Sequence, residues 1–143
     1  MNEERLIPLL LRTTHYIRRK HTEVLGPFGL TFQQFNVLRI LLGAERLKED
    51  SLPIMEISRR MVEPGVGITR LTSKLESLGY LTLFTDADDS RVRRCELTNK
   101  GRNLLEEVEM PVRVAVEQAL SGIDRRVEQE LTHALQLMLR NLT

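Results

Sequence analysis

The sequence predicts a mainly α-helical domain that carries one small β-hairpin. Three observations predict it. The long stretches between turn signals are rich in Leu, Glu and Arg, a helix-forming composition. Apolar residues recur in those stretches at helical spacing. Only the region from Tyr80 to Leu97 departs, where two short strand-like runs flank the acidic turn DADDS.

A chain of 143 residues is long enough for one domain with a sizeable core. Its formal net charge is +1, so any surface for a polyanion must be a local patch. Asn2, Glu3 and Glu4 stand where a signal peptide would carry a basic region, and no apolar run reaches membrane-spanning length. The single cysteine, Cys95, excludes an internal disulfide framework. The expectation is a cytoplasmic protein that does not enter a membrane.

The first helix is expected from about Leu6 to Leu25, with Pro8 in its first turn, where proline is tolerated. Leu6, Leu10, Ile17 and Val24 form one stripe, Ile7, Leu11 and Leu25 a second, and Leu9 and Tyr16 a third. That apolar arc is wider than one packing surface needs. Gly26-Pro27 ends the helix. Thr31 and Gln34 form a T-x-x-Q capping box for a second helix that runs to about Leu42, with Gly43 as its C-cap. Pro53 suits the first turn of a third helix carrying Ile54, Ile57 and Met61 to about Val62. Glu63-Pro64-Gly65 breaks it.

A fourth helix starts near Gly65 and stops at Gly79, the expected left-handed cap. Ile68, Leu71, Leu75 and Leu78 share its core face. Thr69, Arg70, Ser73 and Ser77 share the opposite face, with Lys74 at its flank and Glu76 at its edge. Two helices joined by a short Pro-Gly turn fit helix-turn-helix geometry. In the second strand Cys95 and Leu97 alternate with Arg94 and Glu96, so one side can face the core. Thr98 can cap a fifth helix with Leu104, Leu105, Val108 and Val112 apolar and a kink expected at Pro111. Asp124 can cap a sixth, on which Val127, Leu131, Ala134, Leu135, Met138 and Leu142 form one stripe and Leu137 and Leu139 fall outside it. Both ends of the chain thus carry more apolar helix surface than a lone subunit needs, which predicts a symmetric dimer.

The fourth helix and the hairpin after it carry the candidate chemistry. A helix entering a major groove must bond base edges and phosphates without repelling them. Short hydroxyls, Arg70 and Lys74 suit that task, although a solvated polar face would look similar. In the hairpin, Asp89 precedes Arg91 by two residues, and Ser90, Arg93 and Arg94 adjoin them. An arginine at a narrow turn can enter a minor groove, and Asp89 can orient Arg91 through a charge-assisted bond. An ordinary charged hairpin is the alternative. Helix and hairpin in succession are more specific than either.

The segments LTFQQFNVLRILLG, RMVEPGVGITRLTSKLESLGYL and DDSRVRRCELTNKG, which together span most of the middle of the chain, resemble the MarR family of winged helix-turn-helix transcriptional regulators. The last contains that family's Asp-x-Arg wing signature followed by a strand, Leu-Thr and Lys-Gly. The resemblance implies one domain over 1–143: a winged-helix DNA-binding lobe over 30–100, and dimerisation helices over 1–29 and 101–143. It implies a homodimer on a palindromic double-stranded DNA, with Thr69, Arg70, Ser73, Lys74 and Ser77 of the recognition helix in major grooves. It places Ser90, Arg91, Arg93 and Arg94 of the wing in flanking minor grooves, with Asp89 positioning Arg91. Where the family often has a basic residue four positions after the helix-ending glycine, this chain has Leu83, so the resemblance carries no wing-anchoring ion pair to that position. Many relatives also release DNA on binding a small phenolic or other lipophilic effector; Tyr16, His21 and Phe35 are the candidate pocket residues, with core or interface packing as the simpler reading.

No cofactor is expected. His15, His21 and His133 lack metal-ligand spacing, and no nucleophile–base arrangement marks an enzyme. Asp86, Asp88 and Asp89 read as a solvated turn, and Cys95 as a small buried hydrophobe. The functional expectation is a sequence-specific transcriptional regulator, a dimeric repressor. The alternative is a winged-helix module for protein–protein contact without an operator.

Overall fold

The computed structural model describes residues 3–65 and 67–143. Helix α1 (Glu3–Leu25) is followed by a 3-10 turn at Gly26–Phe28 and by α2 (Phe32–Arg46). Next come a two-residue strand β1 (Leu52–Pro53), α3 (Ile54–Arg60) and α4 (Ile68–Ser77). Strands β2 (Leu81–Thr85) and β3 (Arg93–Leu97) lead into α5 (Asn99–Glu117), a second 3-10 turn at Gln118–Leu120, and α6 (Arg125–Leu142). The sheet is antiparallel in the order β1-β3-β2, with Leu52 and Leu83 both opposite Cys95.

The local stop and start signals act as their chemistry requires. The Thr31 hydroxyl accepts the Gln34 N–H while the Gln34 side chain accepts the Thr31 N–H, closing the capping box. Thr98 and Asp124 cap α5 and α6 in the expected way. Gly79 takes φ +82°; its N–H reaches the Glu76 carbonyl and that of Tyr80 the Leu75 carbonyl, so α4 ends in a Schellman motif.

Four expectations need correction. Helix α1 already runs at Glu3, so Pro8 lies in its second turn rather than its first. Helix α2 passes through Gly43 and ends at Arg46, because Ala44 is buried and Glu45 is held by Arg102 of α5. Helix α4 starts at Ile68 with Gly67, not Gly65, at its N-cap. Leu52–Pro53 adds a third strand to the expected hairpin; Pro53 sits on this edge strand, where its missing N–H does no harm. Helix α5 is continuous through Pro111.

The core lies in the middle of the chain, where Val37, Leu38 and Leu41 of α2, Ile57 of α3, Leu75 of α4 and Val108 of α5 meet Leu81, Cys95 and Leu97 of the sheet. Thr72 of α4 is fully buried among them and donates its hydroxyl to the Ile68 carbonyl one turn back. The ends of the chain differ. No residue of α6 is buried among the described residues, and Leu6, Ile7, Leu9 and Leu11 of α1 are exposed.

The glycines on either side of this core have opposite constraints. A Cβ on Gly101 would lie 2.1 Å from the Tyr80 carbonyl oxygen, whereas one on Gly43 would meet nothing within 4 Å. Gly101→Ala should therefore lower stability by about 1–3 kcal/mol through overpacking against backbone. Gly43→Ala should raise it by about 0.5–1 kcal/mol through helix propensity. Urea denaturation of both variants tests the pair; a Gly101→Ala variant as stable as the parent, or a destabilised Gly43→Ala, would contradict the packing described.

Candidate nucleic-acid interface

Helix α4 presents the predicted polar face outward: Thr69, Arg70, Ser73, Lys74 and Ser77 are all exposed while Ile68, Thr72 and Leu75 anchor the other side. The Ser77 hydroxyl donates to the Lys74 carbonyl at 2.6 Å, which turns it back on its own helix. Glu76, the one acid of this helix, does not stand free on the face. Its carboxylate accepts the Leu83 N–H at 2.7 Å and so ties α4 to β2. At Leu83 the side chain packs against the core, and this backbone bond joins helix to wing where an ion pair is absent from the sequence.

Between β2 and β3 the turn is built on Asp86. One of its carboxylate oxygens accepts the N–H groups of Asp88 and Asp89 at 3.0 Å each, and the other accepts an Arg94 guanidinium N–H at 3.3 Å. The backbone N–H donors, with Arg94, hold the Asp86 carboxyl below the usual range. Asp89 receives Arg91 through two guanidinium bonds and the Arg91 backbone N–H, all at 3.0 Å. That fork fixes the plane of the guanidinium while the side chain stays 88% exposed. The same contact holds the Asp89 carboxyl below its ordinary value and raises Arg91.

The three arginines of the wing do different things. Arg91 and Arg93 are exposed, as is Ser90. Arg94 is turned the other way: its guanidinium donates to the Ser51 hydroxyl at 2.9 Å, to the Ser51 carbonyl at 3.0 Å and to Asp86. It stands apart from Arg91 and Arg93 and braces the wing on the segment before β1. Nothing in the local sequence separates it from Arg93; the distinction comes from strand alternation together with a partner 43 residues away.

Helix and wing share a groove of about 350 Å³, bordered by Thr69 of α4, by Arg91, Val92 and Arg93 of the wing, and by Pro53, Ile54 and Met55. A second concavity, of about 810 Å³, lies on the other flank of α4, between Arg70, Ser73 and Lys74 and the start of α2 at Thr31, Gln33 and Gln34. Sequence reasoning did not include Met55 or Gln33 with this surface, because both come from other elements and carry no local signal.

The candidate effector residues do not converge. Tyr16 lines a cavity of about 570 Å³ between α1 and α5, whereas His21 and Phe35 line a separate one of about 340 Å³ with Arg39 and Arg113; Val116 borders both. Phe35 is largely core, and the His21 ring sits edge-on to Phe32 at 5.1 Å. Cys95 is buried, which pushes its thiol up to about 12 and keeps it protonated. Among the described residues no cluster of His, Cys, Asp and Glu could hold a metal ion, and no helix is long and apolar enough to cross a membrane.

A helix-turn-helix with an arginine-bearing β-hairpin beside its second helix defines a winged helix-turn-helix protein. No family model matches the chain. In sequence it is 30% identical over 99 residues to the HTH-type transcriptional regulator PapX of Escherichia coli, a match covering 69% of this chain and 58% of PapX. It is 29% identical over 129 residues to the HTH-type transcriptional regulator SarZ of Staphylococcus saprophyticus, covering 90% of this chain and 82% of SarZ. In structure it superimposes on MarR of E. coli complexed with operator DNA with a TM-score of 0.81 at 21% identity, covering 94% of this chain and 93% of MarR. The S. aureus MepR–DNA complex gives 0.83 at 20% identity, covering 95% and 97%. BpsR of Bordetella bronchiseptica, solved to explain regulation of its DNA binding by 6-hydroxynicotinic acid, gives 0.81 at 19%, covering 96% and 95%. The fold is that of the MarR-family winged helix-turn-helix structures, and in sequence the chain is similar to HTH-type transcriptional regulators.

The Asp89–Arg91 pair has a pH signature. A carboxylate held below its ordinary value keeps its partner at neutral pH and loses it only as pH falls through the lowered value. The Arg91 Nε–H resonance should therefore stay ordered through the usual aspartate range and broaden below it. In Asp89→Asn the same resonance should be mobile at every pH, with the melting temperature little changed. An Arg91 signal as ordered in the variant as in the parent would contradict the fork.

Proposed function

We propose that this chain is a sequence-specific double-stranded DNA-binding transcriptional regulator, a homodimer that represses at a palindromic operator. The observation that carries the reading is the shared groove. Thr69 of the recognition helix and Arg91 and Arg93 of the wing border it together, while Glu76 and Asp89 are taken up by internal donors. The resulting face combines hydroxyls with Arg70, Lys74, Arg91 and Arg93, which suits phosphates and base edges. Thr69, Arg70, Ser73 and Lys74 are the major-groove candidates. Arg91 is the minor-groove candidate, oriented by Asp89, with Ser90 and Arg93 beside it.

The terminal helices support the dimer. Val127, Leu131, Leu135 and Leu142 of α6 and Leu6, Leu9 and Leu11 of α1 are exposed in the single chain, an apolar surface larger than a monomer ordinarily leaves in water. Twofold symmetry then sets two recognition helices about one DNA turn apart, ~10 bp between half-site centres. Release by a small lipophilic or phenolic effector is the regulatory part of the reading, with the cavities beside Tyr16 and beside His21 and Phe35 as candidate sites.

Light scattering over a wide concentration range should return twice the 16.5 kDa of one chain; a constant single-chain mass would overturn the dimer. Duplexes selected from a randomised pool should contain an inverted repeat. At moderate salt Arg91→Ala should bind the selected duplex about tenfold more weakly, with the slope of log affinity against log salt reduced by about 1. Arg70→Ala should lose affinity and also return a relaxed consensus. Identical consensus sequences from parent and variant would remove Arg70 from base reading. A parent that enriches no duplex would favour a protein–protein role for the winged helix.

A further inference from the structure

We infer that Arg18 of α1 is a positioning residue for DNA reading: through Glu63 it holds the turn that leads into the recognition helix against the dimerisation arm. This rests on the proposed DNA-binding function. Glu63 lies in the segment between α3 and α4, and its carboxylate is shared between two partners. One oxygen receives the Arg18 guanidinium, and the other accepts the Gln33 side-chain N–H at 3.3 Å. The contact therefore joins α1, the first turn of α2 and the helix-turn-helix turn, from residues 45 and 30 positions apart in sequence.

Several features make this more than a chance surface pair. The Arg18 guanidinium lies 5.3 Å from the centroid of the Phe32 ring, and the His21 ring sits edge-on to the same ring. The guanidinium thus rests over an aromatic ring as well as against Glu63. Both charged side chains are little more than one-third exposed, so solvent screens them less than an open pair. The Val62 N–H beside Glu63 is bonded to the Asn36 side chain at 2.9 Å, and the Gly65 N–H to the Ser58 hydroxyl at 3.2 Å. The turn is thus fastened to α2 and α3 by neutral bonds and to α1 by the ion pair. Of these ties only Arg18 comes from a helix assigned to the dimer arm. In a symmetric dimer the arms set the distance between the two reading heads, so a tie from arm to turn controls how well both recognition helices seat at once.

Charge reversal tests this in the full chain. Arg18→Glu, Glu63→Arg and the double reversal are compared for affinity to the parent's selected duplex and for tolerated half-site spacing. Each single reversal should weaken binding about fivefold to tenfold and broaden the tolerated spacing, and the double reversal should restore both to within about threefold. Glu63→Arg is the sharper arm, because added positive charge alone would tighten phosphate attraction, whereas lost positioning weakens binding. Singles that bind and select spacing like the parent, or a double reversal no better than the weaker single, would overturn the inference.

Amide exchange reads the same tie without DNA. Protection across residues 61–71 of the free protein should fall in each single variant and return in the double. Unchanged protection in both singles would overturn the inference. If the parent binds no duplex, the proposed function fails, and the exchange measurement alone decides whether the tie exists. Should a reversal prevent folding, Arg18→Gln and Glu63→Gln with the same two readouts take its place, with the same outcomes required.

Discussion

The structure depends on the close packing of the first turn of α5 against the carbonyl groups that end α4. Gly101 approaches so near the Tyr80 carbonyl that no side chain fits between them. Thr98 donates to the Gly79 carbonyl at 2.6 Å while its oxygen accepts the Gly101 N–H, and its own N–H reaches the Tyr80 carbonyl. Lys100 places its ammonium 2.8 Å from the Leu78 carbonyl and 5.1 Å from the centre of the Tyr80 ring. The Leu-Thr-Asn-Lys-Gly run is therefore a joint between α4 and α5. A lysine at the negative end of a helix is favoured by the helix dipole as well as by the bond it makes. Arg102, one residue further, extends the joint to Glu45 of α2 and to the Leu97 carbonyl.

With that joint in place, the exposed side of α4 is determined by what remains. Every residue pointing inward from α4 is used in packing, and the acid at its edge is used in holding β2. The wing repeats the arrangement at smaller scale: Asp86 organises the turn and accepts Arg94, and Asp89 orients Arg91. Glu76, Asp86 and Asp89 thus act as internal acceptors, while Arg70, Lys74, Arg91 and Arg93 remain toward solvent. A near-neutral chain in this way presents basic side chains to solvent by engaging nearby carboxylates with internal donors, not by an excess of basic residues.

Much of what depended on neighbouring residues was legible in the sequence, although the N-cap of α4 falls on Gly67 rather than Gly65. Thr31 with Gln34, Thr98, Asp124 and Gly79 each act within a few residues, and each does what its chemistry predicts. The alternation along β3 correctly put Cys95 and Leu97 inside. The larger differences were non-local. Gly43 looks like a stop signal, but burial of Ala44 and the grip of Arg102 on Glu45 carry the helix past it. Two residues cannot announce a strand when their partners, Cys95 and Arg94, lie some forty positions on. Arg94 reads like Arg93 until Ser51 is brought beside it, and the Arg18–Glu63 contact has no local trace at all.

Helix α6 carries the same lesson to the level of assembly. Its cap is sound and its apolar stripe is regular, yet in the single chain it has no buried residue among those described. Most helical stability in proteins comes from packing an apolar face against other elements. Intrahelical ion pairs such as Arg126–Glu130 are too exposed to replace that packing. In the proposed dimer the partner supplies the burial that α6 lacks in the single chain, and the exposed leucines of α1 share that surface. An arm stabilised by a second copy is also an arm whose position the second copy fixes. In the proposed dimer, the contact from Arg18 of α1 to Glu63 before α4 therefore makes the placement of α4 a property of the pair.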